Sequence, residues 1–270
     1  MRTRPREGKT RRAFTLVELL VVLAVIVLLL AILAPVVTRV LVVVHKTTCQ
    51  SNLHQIGLGM QQYVIDYRHY PGHASALRHG YAYAVWPTRI RRYASQSGAV
   101  IYCPERPDAF KWPRIVSSST GGDYATEEDA AEWFYEAGEK MLKVHSTPFS
   151  YAYNDWGNHR YGPTDHQRGL GGDIRSMVAV DDLPAAAVVS PSDMIAIGDS
   201  QQKGSWDFNL DPGDPEERPA KVHDDGANIV FCDEHAEWGL QSYWINVNTG
   251  TEEGKKMASR WNNHNKWTPD

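Results

Sequence analysis

The side chains able to do chemistry lie toward opposite ends of this chain. Near the N-terminus, Glu18 is the single charged residue in the apolar run AFTLVELLVVLAVIVLLLAILAPVV, residues 13–37. A carboxylate inside a hydrophobic span costs several kcal/mol unless it has a partner, so its expected chemistry is ion pairing. Toward the C-terminus, Asp199, His223, Asp224, Asp225, Asp233 and His235 would converge if the strands carrying them are neighbours. Oxygen donors of that kind suit calcium, with Asp199, Asp224 and Asp233 as the expected ligands. The same acids also suit solvated loops, as does the acidic, Pro- and Gly-containing stretch 207–217. No nucleophile stands beside a base at a diagnostic spacing, so no catalytic residue and no enzymatic activity are expected.

The elements that must position these groups begin with the apolar run. A span needs roughly 20 residues, and this one suffices to cross a bilayer. Arg2, Arg4, Arg6, Lys9, Arg11 and Arg12 precede it against Glu7 alone, whereas Arg39 and Lys46 follow it. Positive charge stays in the cytoplasm, so the N-terminus faces inward and the chain after about residue 40 lies outside. A secretory signal peptide would have a shorter core and a small-x-small site, which Ala31-Ile32-Leu33-Ala34 does not provide. The motif Thr10-Arg11-Arg12-Ala13-Phe14 is similar to a twin-arginine signal, but the long core and Glu18 argue against that reading.

Beyond Pro35, Cys49, Leu53, Ile56, Met60, Tyr63 and Tyr67 recur in alternating steps of four and three. That spacing predicts one buried face of a continuing helix, covered by a sheet. Tyr70-Pro71-Gly72 ends it. A second helix is expected around 127–143, and Arg89, Arg91 and Arg92 read as a solvated face. Short β-rich runs at 149–153, 187–189, 194–197, 228–231 and 235–240 predict antiparallel strands. The fold class is therefore α+β: a long N-terminal helix on a small antiparallel sheet with long loops.

Three cysteines allow one disulfide in an oxidising compartment. Cys49–Cys103 is the preferred pair because it would tie the helix to a core loop, leaving Cys232 as a buried apolar residue. The whole chain carries a formal charge of -4; without the leader's six bases and one acid, 22 bases and 31 acids remain, a charge of -9. That balance disfavours nucleic acid as a partner.

The N-terminal block closely resembles the prepilin-type cleavage and methylation motif of type IV pilins and type II secretion pseudopilins. It has a basic leader, a small residue at Ala13, then Phe14-Thr15-Leu16-Val17-Glu18 and a long helix. The resemblance implies a cut between Ala13 and Phe14 by a prepilin peptidase, with methylation of the new amine. Ala13 stands where most members have glycine. Glu18 falls fifth in the mature chain, and Pro35 matches the helix-kinking proline twenty-second in it. A second block, 191–199 followed by His223 and Asp233, resembles the H-x9-D-G segment of pilin-like proteins, with Glu234 replacing its glycine. Because glutamate resists positive φ, an altered hairpin turn is expected there. The leading expectation is no cofactor; the calcium loop known in related pseudopilins keeps a structural calcium as its alternative.

These implications set the expected organisation: leader 1–13, transmembrane helix 14–37, periplasmic continuation 38–69 and exported domain 70–270. The expected protein is a non-enzymatic pseudopilin of a type II secretion-like system. It would be single-pass in the bacterial inner membrane, with other pilin or pseudopilin subunits and an inner-membrane assembly platform as partners. Nine tryptophans and thirteen tyrosines raise a carbohydrate-binding module as the main alternative, and an envelope hydrolase is the third.

Overall fold

The computed structural model describes residues 14–78, 81–95, 98–112, 124–143, 147–156, 169–171, 173–176, 179–201 and 209–265. The leader residue Ala13 and the twin-arginine motif before it lie outside this set. Helix α1 runs Leu16–Tyr67 through Pro35. The chain forms two compact units, divided between Val44 and His45.

In the first unit α1 is exposed along its whole apolar length, and it is long and apolar enough to cross a membrane. Thr15 and Glu18 close a capping box at its start. The Thr15 hydroxyl accepts from the Glu18 N–H at 3.2 Å, and Glu18 Oε2 accepts from the Thr15 N–H at 2.9 Å.

In the second unit α1 becomes amphipathic, burying Cys49, Leu53, Ile56, Gly57, Met60 and Tyr63. This is the predicted stripe except at its end: Tyr67 remains 42% exposed and stacks on Tyr63. Strands β1 (Ala74–Arg78) and β2 (Tyr81–Ala84) form a hairpin, followed by α2 (Trp86–Ala94) and α3 (Glu127–Trp133). The helix expected over 127–143 stops early, because Phe134 adopts a left-handed conformation with φ 61°.

The central sheet contains β3 (Tyr151–Asn154), β6 (Ile195–Asp199), β7 (Asn209–Leu210), β8 (Gly226–Phe231) and β9 (Ala236–Leu240) in the order β7-β3-β6-β8-β9. A separate hairpin joins β4 (Asp173–Ser176) and β5 (Ala179–Asp181). The central sheet is mixed, because β7 runs parallel to β3 while the other pairs are antiparallel. Residues 187–189 do not form the expected strand; Pro184 leads into a 3-10 turn over Ala185–Ala187 instead.

Both faces of the sheet are covered, which explains why every residue of β3, β6 and β8 is buried. Tyr151, Tyr153, Val230 and Cys232 pack with the α1 stripe. Ala152, Ala227, Ile229 and Phe231 pack with Trp244, Met257 and Trp261. Those last residues belong to or flank α4 (Gln241–Trp244) and α5 (Glu252–Arg260), helices absent from the sequence expectation. The second unit is thus three layers: helix, sheet, helix.

Candidate functional site

The exported unit concentrates its buried polar chemistry where α1, the 102–107 loop and the hairpin leading into β8 meet. Cys49 on α1 and Cys103 form a disulfide with Cα atoms 5.3 Å apart, and Cys232 is free and buried. The closed loop has a sequence separation of 54, for which chain entropy alone gives stabilisation of about 4 kcal/mol. His223 Nε2 lies 3.4 Å from Cys103 Sγ and 3.7 Å from Asp199 Oδ2. Cys49, Cys103, Asp199 and His223 are all fully buried.

Local structure fixes this cluster. Asp199 ends β6, where its Oδ2 accepts from the Asn228 N–H at 2.7 Å. His223 and Gly226 exchange backbone hydrogen bonds around Asp224 and Asp225, whose φ values are 51° and 58°. Two consecutive positive φ values make a turn whose twist suits the following strand. Trp238 Nε1–H donates to the His223 carbonyl at 2.9 Å, holding the turn against β9. Burial drives the Asp199 carboxyl up to about 7, opposed by the Asn228 N–H and the Arg106 charge. Burial also lowers His223 to about 4, Glu105 opposing and Arg106 reinforcing.

The residues expected to bind calcium are not brought to one point. Asp224 is exposed in the turn and pairs with Lys46 at 3.5 Å. Asp233 follows β8 beyond Phe231, which pairs with Ile195 at the far end of β6 from Asp199. Four residues of strand, about 13 Å, separate those ends. Asp233 instead pairs with His235 Nδ1.

The Asp233-Glu234 turn also corrects the sequence expectation. Glu234 adopts φ 68°, the left-handed conformation expected to exclude it. Its carbonyl is 2.7 Å from His54 Nδ1 on α1, and Gly57 gives it room: a Cβ there would lie 2.9 Å from Glu234 Cα. The helix thus holds the turn from outside.

The basic cluster is a solvated face only at Arg92, which is exposed; Arg89 and Arg91 are withdrawn into ion pairs. Arg89 Nη1 donates to both Asp182 carboxylate oxygens, at 2.7 and 2.9 Å. Arg91 is buried and forks onto Glu139 at 2.7 and 2.9 Å, and Arg92 lies over the Phe134 ring. A further buried carboxylate, Asp155, escaped the sequence reading. Burial and the nearby Glu217 and Asp211 hold its carboxyl well above the usual range.

Comparison with known proteins places family resemblance on the N-terminal third. Residues 8–34 match the prokaryotic N-terminal methylation motif, and residues 46–86 match a family described as a protein of unknown function (DUF1559). No curated protein and no solved structure matches the chain. The methylation motif coincides with the start of an exposed apolar helix that continues into the packed face of a small α+β unit. In that combination of motif, helix and sheet, the chain is similar to type IV pilin-like proteins.

Proposed function

We propose that this pilin-like subunit is a pseudopilin of a type II secretion-like system. In this reading, prepilin peptidase cuts between Ala13 and Phe14 on the cytoplasmic side of the inner membrane. The mature subunit then joins other pilins or pseudopilins at an inner-membrane platform, with residues 45–270 in the periplasm or in a surface filament. The observation that carries the reading is one continuous helix of two characters. Leu16–Val44 is exposed and mostly apolar, whereas from Cys49 to Tyr63 one face of the helix is buried in the sheet unit. A helix of that kind leaves its apolar length free for lipid or for like helices, while its second half presents a folded domain.

Glu18 supplies the register in this scheme. Its carboxylate pairs with the Phe14 amine of a neighbouring mature subunit, relieving an unpaired charge in the membrane. The aromatic content lends no support to a carbohydrate-binding module. Among the seven described tryptophans, Trp86, Trp112, Trp133, Trp244 and Trp261 are buried, so the rings serve the core.

Mass spectrometry of the mature N-terminus in the host tests the proposal. The expected product begins at Phe14 and carries one added methyl group; Ala13→Asp blocks its formation. A chain retaining residues 1–13 in assembled material would overturn the processing scheme. Crosslinked partners drawn from a secretion apparatus support the pseudopilin reading, and partners confined to an adhesive fibre would replace it.

A further inference from the structure

The cluster around the disulfide contains more donor chemistry than a covalent staple requires. One sulfur of each of Cys49 and Cys103, one His223 nitrogen and one Asp199 oxygen all lie within 4.8 Å of one another, and all four residues are fully buried. Among the described residues, His223 Nδ1 and Asp199 Oδ1 find no hydrogen-bond partner despite that burial. These are the far ends of the imidazole and carboxylate whose Nε2 and Oδ2 face the sulfur and each other at 3.4 and 3.7 Å, so the cluster as a whole is short of polar partners.

We propose that reduction of Cys49–Cys103 converts this cluster into a tetrahedral site for one zinc-type divalent ion, held by both thiolates, His223 and the Asp199 carboxylate. In the first step a dithiol reductant gives two electrons and two protons to the disulfide. The protein S–S bond breaks, two thiols form, and the reductant closes its own disulfide. Metal binding then displaces one proton from each thiol.

The geometry is close to that required. Zinc–sulfur bonds of about 2.3 Å and zinc–nitrogen and zinc–oxygen bonds of about 2.0–2.2 Å give donor separations of about 3.3–3.8 Å in a tetrahedron. His223 Nε2 already lies 3.4 Å from Cys103 Sγ and 3.7 Å from Asp199 Oδ2. The main movement is the parting of the two sulfurs, once reduced, to about 3.8 Å. Two thiolates, a carboxylate and a divalent cation leave one negative charge, and Arg106 is placed to offset it, since its charge acts on both Asp199 and His223. The Asn228 N–H bond to Asp199 Oδ2 orients that ligand from behind. The same four residues thus join helix and sheet in either redox state.

The test uses the full-length chain in detergent, reduced with a phosphine that does not compete for metal, and titrated with cobalt(II) alone. The phosphine becomes its oxide, water supplying the oxygen and the two thiol protons. The expected result is one cobalt per chain, with intense tetrahedral visible bands and a thiolate-to-metal charge-transfer band that are absent before reduction. Zinc displaces the cobalt. His223→Ala and Asp199→Asn each weaken binding at least about tenfold, and Cys103→Ser removes the charge-transfer band. A reduced chain that gives no tetrahedral spectrum overturns the proposal, whether it stays folded by circular dichroism or unfolds and is not refolded by cobalt. A spectrum unchanged by both His223→Ala and Asp199→Asn also overturns it, because two cysteines and water would then account for binding.

Discussion

Glu18 is engaged by its own helix before any neighbour reaches it. The capping box with Thr15 gives the carboxylate two hydrogen bonds, from the Thr15 N–H at 2.9 Å and the Thr15 hydroxyl at 2.8 Å. Capping needs an oxygen at this position, and glutamine provides one; pairing with a neighbouring amine needs the charge. The two roles therefore separate. Glu18→Gln, like Glu18→Ala, should keep membrane insertion yet lower filament or co-assembly yield at least about tenfold, equivalent to an ion pair of about 1.4 kcal/mol, and Glu18→Gln should also keep the helix start. Assembly of the glutamine variant at the original level would reduce Glu18 to a cap. A second residue, His73, sets an acid limit on the exported unit. It is fully buried with its ring nitrogen on the Gly171 carbonyl, and burial lowers its pKa to about 4 from 6.5, Asp182 opposing. Below pH 6.5 the unfolded chain takes a proton that the folded chain refuses, so this stability is present at neutral pH and is lost as pH falls toward 4. Denaturant unfolding should show the original chain losing about 3 kcal/mol more than His73→Gln between pH 7 and pH 4; parallel curves would contradict the assignment. Glu18 was legible in the sequence because an isolated charge in an apolar run needs no fold to be noticed. Arg89 and Arg91 were not, since their acids, Asp182 and Glu139, stand 93 and 48 residues away.

Between α1 and the sheet, packing depends on small residues on the helix. A Cβ at Gly57 would lie 2.8 Å from Val230 Cγ2 and 2.9 Å from Glu234 Cα, so the hairpin turn after β8 approaches the helix backbone itself. Overpacking costs about 1–3 kcal/mol where side chains can yield, and here one obstacle is main chain. Gly57→Leu should lower the melting temperature of the exported unit by at least about 4 °C, while the neighbouring exposed position, as Leu58→Ala, should change stability by no more than about 0.5 kcal/mol. Equal effects at the two positions would mean that the close approach is not stabilising. Which elements the sequence disclosed follows from how local their causes are. The four-and-three spacing from Cys49 to Tyr63 declares a helix face by itself, and the runs at 194–197, 228–231 and 235–240 lie within or across β6, β8 and β9. Residues 187–189 mimic a strand in composition, but the chain leaves Pro184 in a 3-10 turn and β6 begins only at Ile195. The C-terminal helix was signalled by Thr251, which caps it through the Gly254 N–H, and by Met257, Ala258 and Trp261 on one face. That signal is only nine helical residues long, and the packing of its face against Ala227, Ile229 and Phe231 is what stabilises it.

At the scale of the whole molecule, the division between Val44 and His45 separates two kinds of stability. The first unit presents apolar side chains with no partner layer of its own, so its free energy depends on a lipid or helical environment. The second contains the disulfide and both core clusters, including the covered half of α1. Nothing in that inventory of packing requires the apolar half. A chain beginning at His45 should therefore be water-soluble, retain the Cys49–Cys103 disulfide and unfold cooperatively, whereas the complete chain partitions into membranes or detergent. Circular dichroism, non-reducing peptide mapping and sedimentation check this together. If the shortened chain aggregates or lacks a cooperative transition with the disulfide formed, the sheet unit needs the apolar helix to fold. If it folds but self-associates strongly, assembly is not confined to the N-terminal helix. The expected outcome, a stable monomer, would assign subunit contacts to the apolar half bearing Glu18 and leave the exported unit to carry the function that the helix assembles.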